Sequence, residues 1–197
     1  EKDYVELGLI GVGSSFDVYL IYHYEYEELF VVKKPKLSNE ENLKLIKRIT
    51  ENCQDLIHPS ISKFYGVVED TDYIVMEFIN GKSLDKIDLI SLSNETKYFI
   101  TFKLLKSIEF LNSKKFIYRD LKPDNIIIDN NEQPILIDFD RLIKLDDQFS
   151  TFDFSDWTSP EIKEGNLSMK SDIYSLGKLM KKIFFNNDKS PELLDEE

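Results

Sequence analysis

Between Tyr4 and Phe78 short apolar runs rich in Val, Ile, Tyr and Phe alternate with polar turn residues: VELGLIGVG, FDVYLIYHY, ELFVVKK, SKFYGVVED and DYIVMEF. Runs of this kind predict five strands of an antiparallel sheet. A different period interrupts them over Asn39–Leu56, where Ile46, Ile49, Cys53 and Leu56 recur at helical spacing. Past Gly81 the helical period takes over. Asn94–Lys115 (NETKYFITFKLLKSIEFLNSKK) predicts a long amphipathic helix with Asn94 as N-cap. A second helix is expected from Ser171 to Phe185 (SDIYSLGKLMKKIFF), capped by Ser171 or Asp172, and the short runs NIIID and PILIDF lie between the two. The pattern predicts an α+β chain of two lobes, with no internal repeat. Residues 1–79 form a small antiparallel β lobe carrying one helix, and residues 80–197 a mainly helical larger lobe.

The composition narrows the chemistry. With 42% hydrophobic and 31% charged residues the chain can bury a core, which excludes a disordered polymer. One cysteine, Cys53, excludes a disulfide framework, and with only His23 and His58 beside it a His/Cys zinc site has too few ligands. The net charge of −12 disfavours nucleic acid and anionic membrane as partners and suits a basic substrate. No apolar stretch is long enough to span a membrane, and the charged start EKDYVE is no signal peptide, so a cytoplasmic protein is expected. Nothing in the pattern assigns an oligomeric state. Arginine is scarce: Arg48, Arg119 and Arg141 are the only three, and arginine suits bidentate work that lysine does poorly.

Three segments carry candidate chemistry. Ile10-Gly11-Val12-Gly13-Ser14-Ser15-Phe16-Asp17-Val18 puts two glycines between predicted strands. Glycines there let backbone N–H groups approach phosphates, and they equally suit a plain hairpin turn. Val31-Val32-Lys33-Lys34 ends another strand, and alternation sends the two lysines to opposite faces. One of them can face a cleft and pair with phosphate oxygens, or guard a strand edge. The third segment is FIYRDLKPDNIII, Phe116–Ile128, followed by Asp138-Phe139-Asp140 after the run PILI. Asp120, Lys122 and Asn125 place a base, a phosphate-neutralising cation and an oxygen ligand on one tight loop. A carboxylate from Asp138 can share a magnesium ion with Asn125.

Taken in order, these segments resemble the eukaryotic protein kinase family over nearly the whole chain. Ile10–Val18 is similar to its glycine-rich loop, Phe30–Lys33 to V-A-I-K, Tyr118–Asn125 to H-R-D-L-x-x-x-N, Asp138–Asp140 to D-F-G, and Ser159-Pro160-Glu161 to A-P-E. His58-Pro59-Ser60-Ile61 resembles the turn after the first helix, Val75-Met76-Glu77-Phe78 the gatekeeper and hinge, and Ser171–Gly177 the start of the central helix. The D-L-K-P-D-N form with Lys122 is of the serine/threonine type. The segments HPSISKFYGVVED, FINGKSL and SDIYSLGKL look similar to the tyrosine-kinase-like group.

The resemblance implies a protein serine/threonine kinase using ATP and Mg²⁺ on a protein substrate. Asp120 would take the substrate hydroxyl's proton, Lys122 would sit beside the γ-phosphate, and Lys33 would hold the α- and β-phosphates. Asn125 and Asp138 would hold the metal. Ile10, Gly11, Val12, Gly13 and Ser14 would cover the phosphates, and Val18, Val31 and Ile127 would sandwich the adenine. Glu77 and Phe78 or Ile79 would meet its edge beside the gatekeeper Met76. Phe139, Tyr118, Phe64 and Cys53 would stack between the lobes, and Asp172 would brace the catalytic loop. Arg119, next to Asp120, is similar to the arginine that holds a phosphorylated activation loop, and Asp146, Asp147, Asp153 and Asp156 are acids that could pair with it instead.

The departures from the family pattern are specific. Phe16 replaces the third glycine, which predicts a stiffer loop; Asp140 replaces the D-F-G glycine, Tyr118 the histidine, and Val31 the alanine. The first helix should offer Lys33 a glutamate. Ile49 occupies the required direction, whereas Glu51 lies nearly opposite the apolar face. Glu51 serves only if the helix is rotated; otherwise it is a solvated acid. These departures keep a pseudokinase, a nucleotide-binding or scaffold domain, as the alternative. A metabolite or aminoglycoside kinase of related fold is disfavoured by S-P-E and S-D-I-Y-S-L-G. Complete domains of the family run to roughly 250 residues, and only NNDKSPELLDEE follows the central helix. The resemblance therefore implies that the last helices of the large lobe are absent. It also implies exposed apolar faces at Ile183, Phe184 and Phe185, and no arginine partner for Glu161.

Overall fold

A computed structural model describes residues 3–147 and 154–185. All five predicted strands form one antiparallel sheet: β1 (Tyr4–Val12), β2 (Phe16–His23), β3 (Glu28–Pro35), β4 (Phe64–Val67) and β5 (Ile74–Glu77), in the order β1-β2-β3-β5-β4. Period-two alternation gives the sheet two apolar faces. Ile21, Phe30 and Val32 belong to an outer cluster with Tyr4, Tyr73 and Val75, whereas Val31 and Met76 join the main core.

The first helix, α1 (Glu40–Cys53), starts where Asn39 accepts the N–H of Asn42 at 2.9 Å, and buries Ile46, Ile49, Asn52 and Cys53. Beyond β5 the chain forms β6 (Gly81–Ser83) and the long helix α2 (Asn94–Ser113). Gly81 is required by close approach, because a Cβ there would stand 2.2 Å from the carbonyl oxygen of Ile128. The N-cap of α2 is Ser93, not Asn94. Ser93 is extended (φ −63°, ψ 156°) and accepts the N–H of Thr96 at 3.1 Å, and Asn94 is already helical.

Four short strands follow: β7 (Phe116–Ile117), β8 (Ile126–Asp129), β9 (Pro134–Leu136) and β10 (Ile143–Lys144). Strands β6, β8 and β9 form a three-stranded sheet, and β10 pairs with β7. Then come the one-turn helix α3 (Pro160–Lys163) and α4 (Lys170–Phe185). Neither Ser171 nor Asp172 caps α4, which is already helical at Lys170, whose N–H bonds the Ser168 hydroxyl at 3.2 Å. Asp172 is engaged elsewhere, as described below.

One apolar cluster runs through both lobes, joining Ile46 and Cys53 of α1, Met76 of β5, Leu104 and Ile108 of α2, Phe139, and Leu176 and Ile183 of α4. The expected exposure at the end of α4 is met in part. Phe185 is 62% exposed, but Ile183 is buried, and Phe184 packs against the core beside Tyr98 with ring centroids 4.9 Å apart. Glu161, without an arginine to answer it, accepts the Ser171 hydroxyl at 3.4 Å. The segment after residue 185 lies outside the described residues.

Candidate active site

Strand alternation decides between the two lysines of β3. Lys33 turns inward, 7% exposed, with its Nζ 5.7 Å from the Phe16 ring centroid. Lys34 turns to the other face, pairs with Glu6 and lies over the Tyr19 ring at 4.3 Å. Phe16, in the place of the third glycine, is buried at 1% as a core residue of β2, so it anchors the loop from below. The loop closes at Gly13, whose N–H donates to the Phe16 carbonyl at 2.8 Å. In this hairpin Gly11 pairs with Val18, and Ile10 and Val12 are exposed.

The inward lysine meets two acids from one short segment. Lys33 Nζ stands 2.7 Å from Asp138 Oδ1 and 2.8 Å from Asp140 Oδ1. Asp138 adopts φ 64°, a left-handed backbone that a non-glycine residue takes only where its surroundings enforce it. Burial alone would lower the Lys33 ammonium, but the two acids more than compensate and hold it above its ordinary value. Burial would raise Asp138, yet Lys33 keeps it low, at about 2. Asp140 is pushed up to about 7 by burial and by the neighbouring Asp138 charge, against the pull of Lys33.

The loop after β7 is pinned from α4. Buried Asp172 accepts the N–H of Tyr118 at 2.8 Å and of Arg119 at 2.9 Å, holding Arg119 at φ 68°. Burial raises the Asp172 carboxyl to about 6 in spite of those two bonds. Asp120, 6% exposed, accepts Asn125 Nδ2 at 2.7 Å and Lys122 Nζ at 3.1 Å on Oδ2, and Arg141 Nη1 at 3.1 Å on Oδ1. The backbone N–H of Ile137 donates to the Asn125 carbonyl at 3.0 Å, which sets Asp138 beside Asn125. With its amide nitrogen turned to Asp120, Asn125 has its side-chain oxygen left as a hard donor, and Asp138 keeps 37% of its side chain open. Two such oxygens are what Mg²⁺ usually takes from a protein when phosphates and water complete its shell. No cluster of three or more His, Cys, Asp or Glu able to hold a metal occurs among the described residues.

The site faces the β5 end. Val31 pairs with Met76, which is buried, and Val18 with Lys33. Glu77 donates its N–H to the Lys63 carbonyl at 2.9 Å, and its carboxylate accepts the Lys63 N–H at 2.9 Å. Phe78 follows β5, and Ile127 sits in β8, paired with Ser83 and Ile135. Tyr118 and Phe139 meet edge-on, ring centroids 5.5 Å apart, within the cluster that includes Cys53 and Phe64. Burial pushes the Cys53 thiol up to about 12, which leaves it a packing group.

A family model described as "Protein kinase domain" matches residues 4–193. The chain belongs to the protein kinase domain family. Among curated relatives, the probable serine/threonine-protein kinase samkA of Dictyostelium discoideum is 35% identical over 190 residues, covering 90% of this chain and 29% of that protein. The serine/threonine-protein kinase TAO3 of Xenopus laevis is 31% identical over 189 residues, covering 90% and 21%. The serine/threonine-protein kinase atg1 of Dictyostelium discoideum is 29% identical over 219 residues, covering 98% and 33%. The chain thus spans a third or less of the length of these relatives.

Within this kinase domain two residues of the cleft had no assigned role in the sequence. Arg141 contacts Asp120, and Arg48 of α1 donates from Nη2 to the Asp140 carbonyl at 2.8 Å. Arg119 Nε donates to the Arg141 carbonyl at 2.6 Å. Two of the chain's three arginines, Arg48 and Arg119, therefore grip the backbone of Asp140–Arg141, the third, Arg141, reaches from that segment to Asp120, and their scarcity was the available signal. Burial, together with the charges of Arg48 and Arg141, lowers Arg119 to about 10. Of the acids expected near Arg119, Asp147 accepts the N–H of Lys144 at 3.3 Å, and Asp153 lies outside the described residues. Glu51 is a surface acid, its carboxylate 3.9 Å from Lys47 on the exposed side of α1. No helix among the described residues is long and apolar enough to cross a membrane.

Proposed function

We propose that this kinase domain transfers the γ-phosphate of Mg²⁺-bound ATP to serine or threonine hydroxyls of a protein substrate. The observation that supports the reading is that Lys33 pairs with Asp138, that Asp120 holds Lys122 and Asn125, and that the Ile137 N–H on the Asn125 carbonyl joins the two groups. Phosphoryl transfer needs positioning and charge neutralisation and no covalent enzyme intermediate, and these residue types supply both. Asp120 takes the hydroxyl proton as the new oxygen–phosphorus bond forms and ADP leaves. Lys122 balances charge on the moving phosphoryl group, and Lys33 binds the α- and β-phosphates. Asn125 and Asp138 would hold the magnesium, which when bound would supply positive charge to neutralise the phosphates. Ile10–Ser14 cover the phosphates. Val18, Val31 and Ile127 enclose the base, and Met76, Glu77 and Phe78 line its edge.

The acidic net charge favours a basic protein substrate over nucleic acid or an anionic membrane, and the single cysteine suits the reducing cytoplasm. The segments HPSISKFYGVVED, FINGKSL and SDIYSLGKL are similar to the tyrosine-kinase-like group. The pseudokinase reading draws support from Arg141 lying across Asp120 and from Glu51 facing away from Lys33. Phosphate transfer from labelled ATP to a generic basic protein separates the two readings. We expect incorporation by the wild type and its loss in Asp120→Asn. Equal incorporation by both overturns the kinase reading, and stabilisation by Mg²⁺–ATP without transfer supports the pseudokinase.

A further inference from the structure

In the family pattern the acid that holds the cleft lysine comes from the first helix, and the residue after Asp-Phe is glycine. Here α1 presents no acid toward Lys33. Its buried positions are Ile46, Ile49, Asn52 and Cys53, and its acids Glu40, Glu41 and Glu51 are exposed. The carboxylate that meets Lys33 beside Asp138 belongs to Asp140, 2.8 Å from Nζ. The helix instead contributes a cation, Arg48, whose Nη2 donates to the backbone carbonyl of that same Asp140.

We propose that Asp140 is the positioning residue for Lys33, substituting for the helix glutamate, and that Arg48 ties this substitute to α1. The proposal rests on the assignment of Lys33 to nucleotide phosphate. It amounts to an exchange of polarity: the helix gives the cation and the Asp-Phe-Asp segment gives the acid. The linkage from helix to lysine is preserved, because Arg48 grips the main chain whose side chain holds Lys33. Asn52 of α1 adds a second tie, donating to the Leu142 carbonyl at 3.2 Å. Asp140 also takes no left-handed backbone, unlike Asp138, so a side chain in the glycine's place carries no such strain. With only 26% of its side chain exposed and Oδ1 on the ammonium, Asp140 acts on Lys33 directly. A long, flexible lysine held at Nζ by acids on both sides of Phe139 is fixed before any phosphate arrives.

The test compares Asp140→Gly, Asp140→Glu and Arg48→Ala. The first readout is the rate at which an amine-acylating reagent modifies Lys33 without nucleotide, followed by mass spectrometry. The second is the Kd for ATP with and without Mg²⁺, and the third is the KM for ATP against kcat in phosphate transfer. Asp140→Gly should acylate several-fold faster at Lys33 and weaken ATP binding by about tenfold, equivalent to ~1.4 kcal/mol, with KM affected more than kcat. Asp140→Glu should stay near the wild type. Arg48→Ala, which removes the tie between α1 and the Asp140 carbonyl, should raise acylation at Lys33 and weaken ATP binding in the same direction by a smaller factor. Unchanged acylation and unchanged ATP affinity in Asp140→Gly would overturn the proposal. So would a loss confined to Mg²⁺-dependent binding, which would make Asp140 a metal ligand, or unchanged acylation and ATP affinity in Arg48→Ala. If Asp140→Gly does not fold, Asp140→Asn replaces it under the same expectations. If the wild type transfers no phosphate, the kinase reading fails, and acylation and ATP affinity still decide the role of Asp140.

Discussion

Arg141 Nη1 stands 3.1 Å from Asp120 Oδ1 while Lys122 Nζ stands 3.1 Å from Oδ2, so each oxygen of the carboxylate assigned as proton acceptor faces a cation. Asn125 also holds Oδ2 and Lys122 Nζ lies 3.3 Å from Oδ1, so removing Arg141 leaves Oδ1 with only the longer of the lysine's two contacts and opens it to a substrate hydroxyl. Arg141→Ala should therefore raise kcat a few-fold without changing the KM for ATP. The pair is partly exposed at the arginine end (25%), so the stability change should stay below about 1 kcal/mol. Steady-state kinetics and urea unfolding check both statements.

Asp172 links folding to the geometry of the catalytic loop. Its carboxylate satisfies the buried N–H groups of Tyr118 and Arg119. Asp172→Ala leaves both without an acceptor and should cost about 2–4 kcal/mol in urea unfolding, with transfer activity lost. The pH dependence has a definite sign. Because burial raises the carboxyl from 3.8 to about 6, the folded state binds the proton more tightly than the unfolded chain. The stability this contributes is fully present below pH 3.8 and is lost as pH rises through about 6. Asp172→Asn does not titrate there, so the wild type's advantage over it should narrow between pH 4 and pH 7.

Glu51 offers the complementary control. It is exposed and pairs only loosely with Lys47. Glu51→Gln should change stability by less than about 0.5 kcal/mol and leave the KM for ATP unaltered. A large rise in KM would show that α1 turns in solution to bring Glu51 onto Lys33.

The five strands and the two long helices were legible in the hydrophobic pattern, whereas the bracing role of Asp172 came only with the family resemblance. Strand alternation put Lys33 and Lys34 on opposite faces; the choice of Lys33 as the inward one came from the family resemblance, and the structure buries it. The α1 face defined by Ile46, Ile49 and Cys53 likewise placed Glu51 outside. The caps were less legible: Ser93 and Asn94 are both good N-cap residues, and only backbone angles choose between them. Strands β6, β7 and β10 are two or three residues long, too short to show any period. Contacts between distant segments were not legible at all. Nothing in the spacing of Arg48, Arg141 and Asp140 says that the first grips the main chain of the third or that the second reaches Asp120. Such meetings depend on how α1 and the segment after β9 pack, which local pattern does not encode.

We propose that Lys33, Asp138 and Asn125 form one magnesium–nucleotide site. Thermal unfolding with ATP, in Mg²⁺ and in EDTA, tests it most directly, since a ligand that binds only the folded state raises the melting temperature. The wild type should be stabilised by ATP in Mg²⁺, and EDTA should remove most of the effect. Asp138→Asn should show only the small EDTA-like shift in both conditions, and Lys33→Met little shift in either. Shifts of equal size in wild type, Asp138→Asn and Lys33→Met, indifferent to EDTA, would contradict the site.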